Sequence, residues 1–232
     1  GKKRYSVNHP TAIYVKGGPV RVKGRYKGRN TIVTDQYTAY HRHAWLPAMG
    51  ESPIDTLWNN IWITDVGLHQ VIKYDSKGNE LMVLGEENIP GLDSLHFNLP
   101  TDVAVYDDGS FYVSDGYGNS RIVKFSKEGK YLFEWGVFGE NKSEFNIPHG
   151  LDLDKKGNVY VADRENNKIQ KFDSLGNFIT EWKNEAIGQL YSVNVNNQEN
   201  YIFGIDYIGY ENLIPVGSDI IKFDLNLKMV SK

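Results

Sequence analysis

The 232-residue sequence has no cysteine, three methionines and no apolar run near the roughly eighteen residues of a membrane-spanning helix. Without cysteine, disulfides and thiolate metal sites are excluded. The net charge is only −3, so no overall field favours nucleic acid or an anionic membrane, although Arg21 to Arg29 form a local basic cluster. Gly1-Lys-Lys-Arg4 has no apolar segment behind it and reads as no signal peptide. Helical periodicity is missing throughout.

What is present favours sheet. Aromatics make up 13% of the residues, with fifteen Tyr, ten Phe and five Trp, and there are 23 Gly. Large flat side chains suit a pleated surface, and glycine suits tight turns. A motif recurs four times: Trp62-Ile-Thr-Asp65, Tyr112-Val-Ser-Asp115, Tyr160-Val-Ala-Asp163 and Phe203-Gly-Ile-Asp206, the Asp residues lying 50, 48 and 43 positions apart. Behind each comes a second apolar stretch, Val71 to Tyr74, Ile122 to Phe125, Ile169 to Phe172 and Ile220 to Phe223. Turns at Gly78, Gly129 and Gly176 follow, then further strands at Leu81 to Leu84, Tyr131 to Trp135 and Phe178 to Trp182. Ahead of three of the motifs lie Pro100 to Val105, Pro148 to Leu153 and Leu190 to Val195.

Period-two alternation with turns every eight to twelve residues predicts an all-β chain, and four short strands per unit of 40–50 residues predict propeller blades. Four units are readable. A fifth, partial one would take Pro10 to Val15 and Thr31 to Asp35 as its first two strands, around a basic loop. The reading is a single domain, 1–232. A strand is expected before Trp62, but Ile54 to Trp58 runs straight into it, so a segment reads as missing near 58/59. Because a closed propeller takes four to eight blades, the chain is expected to be truncated within a blade at Lys232.

Asn146-Ile-Pro-His-Gly-Leu151 with Val159-Tyr-Val-Ala-Asp163 resembles an NHL repeat. Four stretches together are similar to the peptidylglycine α-amidating lyase (peptidylamidoglycolate lyase) family: Thr64 to Val71, Pro100 to Val105, Val113 to Ile122 and Val161 to Gln170. The match runs from about Asn59 to Trp182. The resemblance implies a six-bladed NHL-type β-propeller of bacterial style, secreted or periplasmic and monomeric. It implies a zinc held by three His and a structural calcium, acting on a peptide or small-molecule substrate. The implied reaction cleaves a peptidyl-α-hydroxyglycine to an amide and glyoxylate. By the same resemblance Tyr117 and the arginines Arg42 and Arg164 are catalytic, and His149 is a zinc ligand. The family's other two zinc His would fall before Asn59 and after Lys232. Gly118 stands where animal members carry Cys.

Each candidate has a structural alternative. His149 could pack on an inner strand, Tyr117 could cover the channel end, and Arg164 could pair with its neighbours Asp163 and Glu165. His41 and His43 share a face if that segment is β. His69 and His96 read as structural. The recurrent Asp residues read as turn caps. A non-catalytic NHL propeller binding protein, peptide or glycan is the competing function.

Overall fold

The computed structural model describes residues 11–15, 30–34, 54–55, 60–75, 77–186, 188–207, 210–211, 214–215 and 219–232. In chain order the first strands are β1 (Thr11–Val15), β2 (Asn30–Thr34), β3 (Ile54–Asp55), β4 (Asn60–Asp65), β5 (Gln70–Tyr74) and β6 (Glu80–Leu84). Then come β7 (Asp102–Val105), β8 (Phe111–Asp115), β9 (Arg121–Phe125), β10 (Tyr131–Trp135), and the short β11 (Val137–Phe138) and β12 (Glu144–Phe145). The third group is β13 (Pro148–Leu153), β14 (Val159–Asp163), β15 (Lys168–Phe172) and β16 (Phe178–Lys183). Last are β17 (Gln189–Asn196), β18 (Tyr201–Tyr207), β19 (Tyr210–Glu211), β20 (Ile214–Pro215), β21 (Ile220–Asp224) and β22 (Met229–Ser231). Among the described residues there is no helix.

Four antiparallel sheets of four strands result: β3 to β6, β7 to β10, β13 to β16, and β17-β18-β21-β22. We call them blades 1 to 4. The repeat predicts fourteen of these sixteen strands, all but β3 and β22, and with β22 the last sheet reaches its fourth strand before Lys232. The turn glycines carry the expected backbone, with φ of 88°, 82° and 82° at Gly78, Gly129 and Gly176.

Two other details differ from the sequence reading. The stretch before Trp62 is not without an inner strand, because Ile54 and Asp55 pair antiparallel with Ile61 and Asn60. Blade 1 thus keeps a two-residue inner strand. The N-terminal strands also depart from an ordinary blade: β1 and β2 pair in parallel, from Thr11↔Asn30 to Val15↔Thr34. Parallel partners cannot be joined by a hairpin, so these two are not neighbouring strands of an up-and-down meander.

The core lies between blades rather than within them. Trp62 and Val71 of blade 1 pack with Val103, Phe111, Val113, Val123 and Phe125 of blade 2. Ala104, Tyr112 and Ile122 of blade 2 pack with Leu151, Val159, Val161 and Phe172 of blade 3. Tyr160, Ala162 and Ile169 of blade 3 pack with Leu190, Val193, Ile202 and Phe223 of blade 4. Middle strands β8 and β14 are therefore covered on both faces and buried at every residue, whereas the outer strand β10 alternates. Each fully buried Phe or Val contributes about 1.5–3 kcal/mol, so the inter-blade seams hold the ring segment together.

Polar staples repeat the same logic. Asp102 Oδ2 accepts from Leu151 N–H at 2.8 Å, and Asp152 Oδ2 accepts from Val195 N–H at 2.7 Å. Each carboxylate joins its inner strand to the next blade's inner strand. The recurrent Asp at the end of each second strand caps backbone N–H groups, as expected, but not always in its own turn. Asp65 caps Gly67 and Leu68 locally. Asp115, Asp163 and Asp206 instead accept from Asn98, Asn146 and Gly188, at 2.8, 2.7 and 3.2 Å. Those amides belong to the incoming inter-blade connections, so the Asp fixes where each new blade begins.

Candidate functional site

The loop at Tyr117 joins β8 to β9 and is pressed against its surroundings. A Cβ at Gly116 would collide with the Pro148 carbonyl oxygen, and one at Gly118 with the Asn98 side chain. At Gly116, where the obstacle is backbone, only glycine allows this approach; at Gly118 the Asn98 side chain would have to move. Tyr117 N–H and Gly118 N–H donate to Leu99 O and Asn98 O, at 3.2 and 2.9 Å. His149 is the second residue of β13, and Arg164 follows β14, its N–H donating to Ile147 O at 3.0 Å.

These three residues, far apart in sequence, meet. Tyr117 Oη lies 2.8 Å from His149 Nε2, with the rings edge to face at 5.4 Å. His149 Nδ1 lies 2.7 Å from Tyr191 O. A carbonyl oxygen only accepts, so Nδ1 carries the proton and Nε2 presents its lone pair. The Tyr117 hydroxyl therefore donates to Nε2. The Arg164 guanidinium sits over the Tyr117 and Tyr191 rings, at 5.4 and 5.0 Å. Its Nε and Nη2 donate to Glu165 Oε1 at 2.9 and 2.7 Å, the neighbour pairing that the sequence offered as an alternative. Of the two neighbours, Arg164 thus pairs with Glu165, and its guanidinium also faces Tyr117.

Burial dominates the electrostatics. It drives the His149 imidazole down to about 4; the hydrogen bond to Tyr191 opposes this and the Arg164 charge adds to it. His149 is neutral at physiological pH. Burial also raises the Tyr117 phenol above its ordinary value, with the Arg164 charge working in the opposite direction.

His149 is oriented as metal-binding histidines are, its far N–H held by a backbone carbonyl, but the lone pair of its other nitrogen is taken by the Tyr117 hydroxyl. The number of ligands does not fit. No group of three His, Asp or Glu side chains suited to a metal ion exists among the described residues, and a zinc site needs three or four. His41, His43 and Arg42 lie outside the described residues. His69 and His96 are structural as expected: His69 Nδ1 accepts from Leu99 N–H at 3.1 Å, and His96 Nδ1 lies 2.8 Å from Asp93 Oδ1.

With Glu165, the residues Tyr191, Gln189 and Tyr207 complete the cluster, and these three were not singled out from the sequence. Gln189 Nε2 donates to both Glu165 oxygens at 2.8 Å, and the Tyr191 and Tyr207 rings meet at 5.5 Å. One signal was available: Leu190-Tyr191 aligns with Pro148-His149 in the repeat, so Tyr191 fills the His149 position one blade on.

A family model described as NHL repeat matches residues 97–125 and 145–172. Peptidyl-glycine alpha-amidating monooxygenase A of Xenopus laevis is 39% identical over 184 residues, covering 71% of this chain and 18% of that protein. A probable peptidyl-alpha-hydroxyglycine alpha-amidating lyase of Caenorhabditis elegans is 40% identical over 164 residues, covering 65% of this chain and 46% of that protein. The chain is an NHL-repeat propeller similar to these lyases. It spans less than half the length of either relative. Both are animal proteins, whereas the sequence reading pointed to a bacterial-style member. The fold is shared with a catalytically inactive virginiamycin B lyase from Staphylococcus aureus solved with quinupristin. That structure is 18% identical, with a TM-score of 0.52, covering 75% of this chain and 52% of the other.

Proposed function

We propose that this chain is part of a six-bladed propeller lyase that splits a peptidyl-α-hydroxyglycine-like substrate into a peptide amide and glyoxylate. The observation that carries the reading is the 2.8 Å contact between Tyr117 Oη and His149 Nε2 beneath the Arg164 guanidinium. In this reaction the substrate hydroxyl loses its proton, its C–O bond becomes the aldehyde C=O, and the C–N bond breaks. The electron pair and a proton end on the amide nitrogen. Tyr117 Oη is the base in this reading, and Arg164 balances negative charge at the phenolate and on the substrate.

A buried tyrosine needs help to serve as a base. Burial holds the Tyr117 phenol above its ordinary value and drives the His149 imidazole down, so direct proton transfer from Tyr117 to His149 is uphill. His149 is thus an orienting acceptor rather than a proton store, and positive charge must stabilise the phenolate. Arg164 supplies part of it. His149 Nε2 has one lone pair, which Tyr117 occupies, so a zinc ion there would displace the hydrogen bond; zinc rests on the resemblance, and would supply Lewis acidity. The structural calcium rests on the resemblance alone.

Glyoxylate release from an α-hydroxyglycyl peptide tests the reading. Activity should fall by about 10²–10⁴ in Tyr117→Phe and disappear on chelation. No release from the full-length, metal-replete protein would retire it. The competing reading is a propeller that binds protein, peptide or glycan without catalysis. It draws support from the lack of a three-ligand cluster among the described residues.

A further inference from the structure

The contacts around Arg164 form a closed circuit. Arg164 donates to Glu165 Oε1 through Nε and Nη2, and both Glu165 oxygens accept from Gln189 Nε2. Gln189 Oε1 in turn lies 3.4 Å from the Tyr191 hydroxyl. The backbone of Tyr191 accepts from His149, whose other nitrogen accepts from Tyr117, whose ring lies under Arg164. The circuit returns to its start.

Gln189 and Tyr191 both belong to β17, the inner strand of blade 4. A partly exposed Arg–Glu pair on a loop is ordinarily worth little and has freedom to swing into water. Here Glu165 is 29% exposed and Arg164 13%, and what separates them from an ordinary surface pair is the Gln189 amide. The amide is neutral. It holds both carboxylate oxygens without bringing a second cation to compete with the guanidinium for them, as a lysine or arginine at 189 would.

We infer that Gln189, acting through Glu165, is the positioning residue that holds the Arg164 guanidinium between the Tyr117 and Tyr191 rings. Gln189 touches neither ring centre nor reacting atoms; it acts at one remove. The same strand fixes the His149 tautomer through Tyr191 O, so β17 orients two groups of the site at once. The inference relies on the lyase reading only for what Arg164 does to substrate, and not for its placement.

The test is nuclear magnetic resonance of the Arg164 side-chain Nε–H and Cδ–H groups, assigned by their loss in Arg164→Lys and recorded without substrate. In the wild-type chain two aromatic faces shield these protons. In Gln189→Met, similar in volume but without the amide, they move to the unshielded positions of a solvated arginine. Tyr191→Phe keeps the ring and loses the hydroxyl, and moves them less in the same direction. The buried Trp62 indole resonance reports that the fold is intact. Arg164 signals unchanged in a folded Gln189→Met would overturn the inference while leaving the lyase reading standing. If Gln189→Met does not fold, unchanged signals in Glu165→Gln overturn it equally. Conversely, a chain that releases no glyoxylate but shows the predicted shifts retires the lyase reading and upholds this one.

Discussion

Blades 2 and 3 are built on one frame and carry different residues on it. In blade 2, Asp115 accepts from the incoming Asn98 amide, from Asn119 Nδ2 and from Arg121 Nε, and Arg121 Nη1 reaches Glu134 at 2.6 Å. In blade 3, Asp163 accepts from Asn146, Asn166 and Gln170, with Lys168 Nζ 3.7 Å from Asp163 and 3.5 Å from Glu181. Each basic residue also grips carbonyls of the incoming connection. Arg121 takes Leu92, Asp93 and His96, while Lys168 takes Glu140 and Asn141. The repeated positions are thus consumed by structure. What differs is the loop the frame holds up: Gly116-Tyr117-Gly118 in one blade, Arg164-Glu165 in the other. The comparison teaches that residues escaping the repeat are the ones free to do chemistry.

The frames also differ in quality. A guanidinium forks to several acceptors at once, whereas an ammonium is a point charge with three donors. Glu134 is in direct contact with Arg121, but Glu181 Oε2 has no hydrogen-bond partner. Arg121→Met should therefore give the largest loss, about 3–5 kcal/mol in chemical denaturation, because it leaves Asp115 charged and buried. Lys168→Met should cost less, about 1–3 kcal/mol, since Asp163 keeps three neutral donors. Equal losses would mean that the two frames are equivalent after all.

Acid sharpens the comparison next. Burial, only partly offset by its hydrogen bonds, raises the Asp163 carboxyl from 3.8 to about 6. The folded chain then binds this proton more tightly than the unfolded chain. The stabilising contribution is full below pH 4 and is lost as pH rises through about 6, on the order of 2–3 kcal/mol. Measured stability of Asp163→Asn should lack this decline, and an identical slope between pH 4 and 6 in both proteins would contradict the assignment.

Loop changes should matter least to stability. Gly116→Ala forces the loop away from the Pro148 carbonyl and should cost about 1–3 kcal/mol together with the Tyr117–His149 contact. Tyr117→Phe removes one hydrogen bond and should cost no more than about 1.5 kcal/mol by thermal unfolding. A larger loss would place Tyr117 in the frame rather than on it.

Much of this was legible in the residues. The repeat of apolar strands, Asp ends and glycine turns determined the four-stranded units, because alternation and positive φ are local demands that each segment must meet by itself. The same repeat showed Tyr117 to be unusual, since the corresponding positions hold Gly67 and Glu165. It also lined up His149 with Tyr191, although no local rule says that two inner-strand residues of neighbouring blades will touch. Tertiary structure alone decided that Tyr117 would donate to His149 and that Arg164 would lie between two rings. Gln189, 25 positions from Arg164, holds it from the adjacent blade. Such contacts depend on how blades twist and pack around a common seam, and spacing along the chain does not encode that geometry.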